Sequence, residues 1–246
     1  MAINKDGTRR VNMKDSIYTI PISEVFEPKC GCPICMIRDT LEQRSVEYIM
    51  GAAMMEPDVR IETNQKGFCK HHFDQMMKRN NRLSLALMLE SHLKEIQEHT
   101  LQKSACVGNS GGFFKKREVE KPKKTCFICE QIDWALERMF DTVIKMYMQN
   151  GEFRALYQQQ EKLCFVHFQE LVCYANAKMD KKMLPEFIQV STDLCRKSLD
   201  EIAHDVSHYC KMFDYRNSGA DADWGNARDS IERAIYFLTS RPYESN

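Results

Sequence analysis

Apolar residues recur at helical spacing along almost the whole chain, while alternation of the kind that marks strands is scarce. Ile37, Leu41, Tyr48 and Ile49 follow one such stripe, with Arg38, Glu42 and Arg44 assigned to the polar side. A second stripe runs through Ile132, Leu136, Met139, Phe140, Val143 and Tyr147. Phe73, Met76 and Met77 precede a break at Asn80 and Asn81, after which Leu83, Leu87, Leu93 and Ile96 resume the period. From Pro185 to Phe213 the pattern predicts one long helix with proline in its first turn, marked by Ile188, Leu194, Leu199, Ile202, Val206 and Phe213. A last helix is expected from about Asn226 to Thr239, with Ile231, Ala234, Ile235 and Leu238 on its apolar side and Pro242 beyond its end. Only SIYTIPI, residues 16 to 22, alternates, and Pro21 makes it an extended arm or edge segment. The expectation is therefore an all-α protein.

Composition allows this fold without directing it. The 246 residues can fill one large domain or two ordinary ones, and 43% apolar with 28% charged residues is an ordinary globular balance. Thirty-five basic residues match 35 acidic ones, so no global field draws in nucleic acid or an anionic membrane. The most apolar run, LSLALML at 83 to 89, is too short to span a bilayer, and the start of the chain carries no apolar leader. A cytoplasmic protein is expected.

Eleven cysteines are many for a reducing compartment, where clustered thiols hold metal or do redox work more often than they form disulfides. Cys32 and Cys35 form one C-x-x-C, and Cys126 and Cys129 form another. Each is followed by a C-x-x-H, Cys69 with His72 and Cys164 with His167, after intervals of 33 and 34 residues. Around the second members, Arg60 falls opposite Arg154 and Phe73 opposite Phe168, which reads as an internal repeat.

Three thiolates and an imidazole complete a closed tetrahedral zinc site. Taken repeat by repeat, Cys32, Cys35, Cys69 and His72 should meet at one ion, and Cys126, Cys129, Cys164 and His167 at a second. Both pairs of each set would lie at helix starts, so that the ion clips two helices together. The expected organisation is an N-terminal arm and first repeat in residues 1–106, a linker at 107–124, and a second repeat with C-terminal helices in 125–246. Cys106, Cys173, Cys195 and Cys210 have no partner at ligand spacing and are expected to be small buried hydrophobes. Cys30 and His71 have no counterpart in the second repeat, where Lys124 and Val166 stand, and are read as neighbours of the site or surface residues. His204 and His208 share a helix face, for which an ordinary polar surface is the expected role, and the methionines are read as core filler.

DSIYTIPISEVFE, CPIC, GAAMMEPDVRIETNQKGFCKHHF and LALMLESHL, together with Trp224 and the later ERAIYFL, carry a resemblance. The chain resembles an uncharacterised bacterial family, number 6062 among the domains of unknown function. The resemblance implies a prokaryotic cytoplasmic setting and brings no activity, substrate or catalytic residue.

Three functional classes compete. A zinc-stabilised helical module that binds another protein or its own copies, or has a regulatory role, needs no water-activating residue and is preferred to an enzyme. A thiol redox protein or metal-release switch would use the C-x-x-C pairs, although no βαβ pattern surrounds them. An iron–sulfur protein or other metalloenzyme could use the same ligands, with Glu42, Glu56, Asp58 and Glu130 as conceivable bases on faces that otherwise read as solvated. Six of the ten residues 115 to 124 are basic and follow Phe113 and Phe114, which raises nucleic acid as a lesser alternative to a solvated linker.

Overall fold

The computed structural model describes residues 21–101, 125–213 and 223–242, and every regular element among them is helical. The order is α1 (Pro33–Met50), a 3₁₀ turn (Ala52–Met55), α2 (Pro57–Lys66), α3 (Lys70–Met77), α4 (Arg82–Glu95) and a π-helical end (Ile96–Leu101). After residue 124 come α5 (Phe127–Gln149), α6 (Gly151–Gln158), α7 (Phe165–Lys178), α8 (Leu184–Met212) and α9 (Ser230–Thr239). Residues 107–124, including Phe113, Phe114 and the basic run, and Cys106 lie outside the described residues.

Local chemistry sets many of the boundaries. Asn81 caps α4 by accepting from the Ser84 amide, and Asn150 caps α6 by accepting from the amides of Glu152 and Phe153. Pro57 opens α2 at a position where its missing amide costs nothing. Gly67 ends α2 with φ +64° and ψ −161°, a region open essentially to glycine.

The chain forms two compact units, Met1–Asp39 with Leu136–Asn246, and Thr40–Ala135. The boundaries fall inside α1 and α5. In the first unit α7, α8 and α9 pack on one another. Its aromatic core joins Phe26, Phe153, Tyr147, Tyr157 and Phe187, with ring centroids 4.9 to 5.9 Å apart. The buried Tyr157 hydroxyl meets Ser191 Oγ at 2.8 Å. In the second unit α2 packs on α4, and Val46, Ile49, Ala53, Met76, Leu85 and Met88 are buried.

Several expectations change at residue level. Residues 21 to 26 are helical, so Pro21 and Ile22 are not part of an extended arm; residues 16 to 20 lie outside the described residues. On α1, Arg38 and Glu42 are buried while Tyr48 is half exposed. Arg38 donates to Ser240 Oγ at 2.8 Å and pairs with the Asp39 carboxylate at 2.5 Å, which together accommodate a charge that an apolar stripe would not place inside. On α8 the buried line is Phe187, Ser191, Leu194, Cys195, Ser198, Asp205 and Met212, whereas Leu199 and Phe213 are exposed. Ser191 and Ser198 donate to carbonyls one turn back, at Phe187 and Leu194, and so enter the core with their hydroxyls satisfied. On α9, which begins at Ser230, Phe237 is buried and the expected Ile231 and Leu238 are exposed.

Candidate metal centres

All four cysteine and histidine pairs stand at helix starts. Cys32 and Cys126 directly precede the first residues of α1 and α5, with Cys35 and Cys129 one turn inside. Cys69 and Cys164 are the N-caps of α3 and α7, with nearly equal dihedrals of φ −75°, ψ 163° and φ −72°, ψ 159°. Each following histidine is at the third helical position, where the backbone directs it back toward the N-terminus. Helix N-termini favour negative charge, which suits thiolate ligands.

The eight residues converge in two groups of four, but with exchanged partners. Cys32 and Cys35 meet Cys164 and His167, while Cys126 and Cys129 meet Cys69 and His72. The pairing expected from chain order is therefore corrected: each site takes its C-x-x-C from one half of the chain and its C-x-x-H from the other. The cause lies in the segments before the motifs. Phe127 N–H donates to Gly67 O at 3.0 Å, the Thr125 hydroxyl donates to Lys66 O at 2.7 Å, and Lys66 pairs with Glu130 at 2.9 Å. These contacts seat the second C-x-x-C beside the first C-x-x-H. In the other unit, Gln160 donates to Phe26 O at 2.8 Å and Lys29 to Gln159 Oε1 at 2.6 Å, joining the approach to Cys32 with the approach to Cys164.

The dimensions fit a tetrahedral ion. Metal–sulfur bonds of about 2.3 Å and metal–nitrogen bonds of about 2.0 Å require sulfur–sulfur edges of about 3.8 Å and sulfur–nitrogen edges of about 3.5 Å. In the first site His167 Nδ1 lies 3.1, 3.3 and 3.7 Å from the sulfurs of Cys164, Cys35 and Cys32, and Cys35 and Cys164 are 3.6 Å apart. In the second, His72 Nδ1 lies 3.1, 3.2 and 3.6 Å from Cys69, Cys126 and Cys129, with Cys69 and Cys129 3.9 Å apart.

Electrostatics give the same answer. Burial opposes charge on Cys32, yet hydrogen bonds with Cys164, Cys35 and His167 outweigh it and hold the thiol well below its ordinary range. Cys35, although favoured by its bond to Cys164, is pushed to about 12 by Cys32 and burial, and Cys164 is raised by its contacts with Cys32 and Cys35. In the second site burial again opposes charge, but His72 and the backbone amides of Cys129 and Cys69 take Cys126 down to about 6. Cys129 is raised by burial and by the Cys126 charge. The first group thus favours a thiolate at Cys32 and resists charge on Cys35 and Cys164, and the second favours one at Cys126 and resists charge on Cys129, until further positive charge arrives, which a divalent cation supplies.

The surroundings hold contacts that the sequence did not assign. His72 Nε2 lies 3.0 Å from Glu42 Oε1, and Gln75 donates to Glu42 Oε2 at 2.9 Å. Burial opposes charge on both members, but their contact holds Glu42 at about 2, and Cys126 and Glu42 together lift His72 to about 9. A carboxylate behind a ligating imidazole fixes its ring and tautomer. His71 is a neighbour of the same carboxylate, at 3.1 Å. In the first site Tyr236 donates its hydroxyl to Cys35, and burial followed by that bond raises the phenol's pKa. Glu42 entered the sequence reading only as a conceivable base on a solvated face and Tyr236 not at all, because the partner of each is set by packing from elsewhere in its unit.

The other candidates fall outside these groups. Among the described cysteines none is in a disulfide; Cys195 is buried as expected, whereas Cys173 and Cys210, expected to be buried, are exposed, and Cys30 is a surface residue. His204 contacts Asp205 at 3.2 Å and His208 the Asp223 carbonyl at 2.9 Å, consistent with an ordinary polar face.

Fold and sites define an all-helical protein with two Cys3His clusters able to hold metal ions. Residues 13–245 match the family described as "Family of unknown function (DUF6062)", and the chain belongs to that family. No curated protein and no solved structure matches it. No described helix is long and apolar enough to cross a membrane.

Proposed function

We propose that the protein is a zinc-stabilised helical module of the bacterial cytoplasm that binds another protein or a second copy of itself, rather than an enzyme. The observation that carries this reading is that each cluster supplies four good ligands at tetrahedral spacing. A site filled by four protein ligands leaves no coordination position for a reacting water, as structural zinc requires and catalytic zinc does not. The ions would contribute folding energy by joining helix starts far apart in sequence, leaving the helical surface to engage a partner.

The test is metal content and optical absorbance on untagged protein purified without oxygen. About two zinc per chain and no visible colour is the expected result. Iron with sulfide and a brown chromophore would replace this reading with electron transfer or sensing, and folded protein without metal would overturn it.

A further inference from the structure

The two clusters differ in access. In the first, Cys32, Cys35, Cys164 and His167 are all buried, at 5, 1, 3 and 1% exposure. In the second, His72 and Cys126 are buried but Cys69 and Cys129 are only partly so. Cavities adjoin both clusters, one of about 440 Å³ at Cys32 and Cys164 and one of about 680 Å³ at Cys69, Cys126 and Cys129 that is lined also by Lys66, Lys70, His92 and Thr125, but only in the second do two of the lining cysteines keep part of their surface exposed. The two half-exposed sulfurs are also a close pair, 3.9 Å apart, contributed by different helices. A small uncharged oxidant can enter such a cavity, and the pair it meets holds half of the ligands.

We infer that Cys69 and Cys129 form an oxidant-reactive pair, so that the second cluster is a peroxide-responsive metal-release site while the first is structural. The inference rests on the metal-binding reading above and divides its two sites by role. The substrate is hydrogen peroxide. One thiolate of the pair attacks a peroxide oxygen; a sulfur–oxygen bond forms, the oxygen–oxygen bond breaks, and the leaving hydroxide takes a proton to become water. The other thiolate then attacks that sulfur, forming the disulfide and expelling the second oxygen as hydroxide, which is also protonated. Two electrons pass from two thiolates to one peroxide, and the remaining Cys126 and His72 are too few to hold the ion. A dithiol reductant reverses the change and restores all four ligands.

The experiment uses full-length, zinc-loaded protein in which Cys30, Cys106, Cys173 and Cys210 are serine, so that only cluster thiols and the buried Cys195 are left. Hydrogen peroxide is added in increments, released zinc is followed with a chromogenic chelator, and disulfides are mapped after alkylation. One of two zinc equivalents should leave, with a Cys69–Cys129 disulfide, and should rebind after dithiothreitol. Release of both equivalents together, release of neither, or a disulfide elsewhere overturns the inference. In the unsubstituted protein without oxidant, a maleimide should label Cys69 and Cys129 before Cys32, Cys35 and Cys164; the opposite order also overturns it. Failure of the underlying metal reading is distinct, because the purified protein would then carry no zinc to release.

Discussion

Glu42 shows how one side chain can gain a role that its neighbours in sequence conceal. On a helical wheel it belongs with charged residues, yet it is buried with both oxygens engaged, one of them by His72. Glu42→Gln should weaken zinc at the second site by roughly 10- to 100-fold, the scale for losing a ligand-orienting partner, and leave the first unchanged. Competition against a chromophoric chelator would measure both. In metal-free protein the same contact gives a pH signature. Glu42, lowered from 4.5 to about 2, contributes stability above pH 4.5 that is lost as pH falls toward 2. His72, raised from 6.5 to about 9 by Cys126 first and Glu42 second, against burial, contributes below pH 6.5 and loses its contribution as pH rises through 9, Glu42 accounting for part of it. The melting-temperature gap between wild type and Glu42→Gln should therefore be widest between those ordinary values, 4.5 and 6.5, and close on either side. Gly67 carries a second prediction at this scale. A Cβ there would lie 3.1 Å from His92 Nε2 at a backbone conformation closed to other residues. Gly67→Ala should cost about 1–3 kcal/mol in denaturant unfolding, and a neutral result would show that the α2–α3 turn relaxes.

At the scale of elements, the informative feature is which helix starts share a cluster. Cys35→Ser and Cys164→Ser should each lose one zinc equivalent, and the double variant should still lose only one, because both belong to α1 and α7 at the first site. Cys35→Ser with Cys69→Ser should lose both. Sequence-order pairing makes the reverse forecast for these two doubles, so metal content alone separates the arrangements. Cys195→Ser, outside either cluster, should retain both ions. The helices themselves were largely legible: the break at Asn80 and Asn81 and the span of α8 follow from capping residues and apolar period. The buried face of α8 was not, because serines that return their hydroxyls to the preceding turn look polar in a sequence and behave as small core residues in the fold.

Over the whole molecule, each cluster gathers segments distant in the chain within one unit, with Cys32 and Cys164 in the first and Cys69 and Cys126 in the second. Chelation under reducing conditions should therefore lower the melting temperature and open both units to limited proteolysis, with recovery on adding zinc. Retention of the native melting temperature after complete metal removal would contradict a structural role for the ions. What the sequence by itself determined was the helix class, the span of α8, the break before α4 and the eight cysteine and histidine residues that the clusters gather, since apolar period and two-residue spacing are local properties. Two C-x-x-C and two C-x-x-H pairs have two chemically equivalent matings, and spacing cannot choose between them. Only the tertiary structure decided, because the choice rests on contacts such as Phe127 to Gly67 and Gln160 to Phe26, which hold remote approach segments side by side. The contacts of Glu42 and Tyr236 with the clusters escaped the sequence for the same reason: a side chain's partner is set by what the fold packs against it.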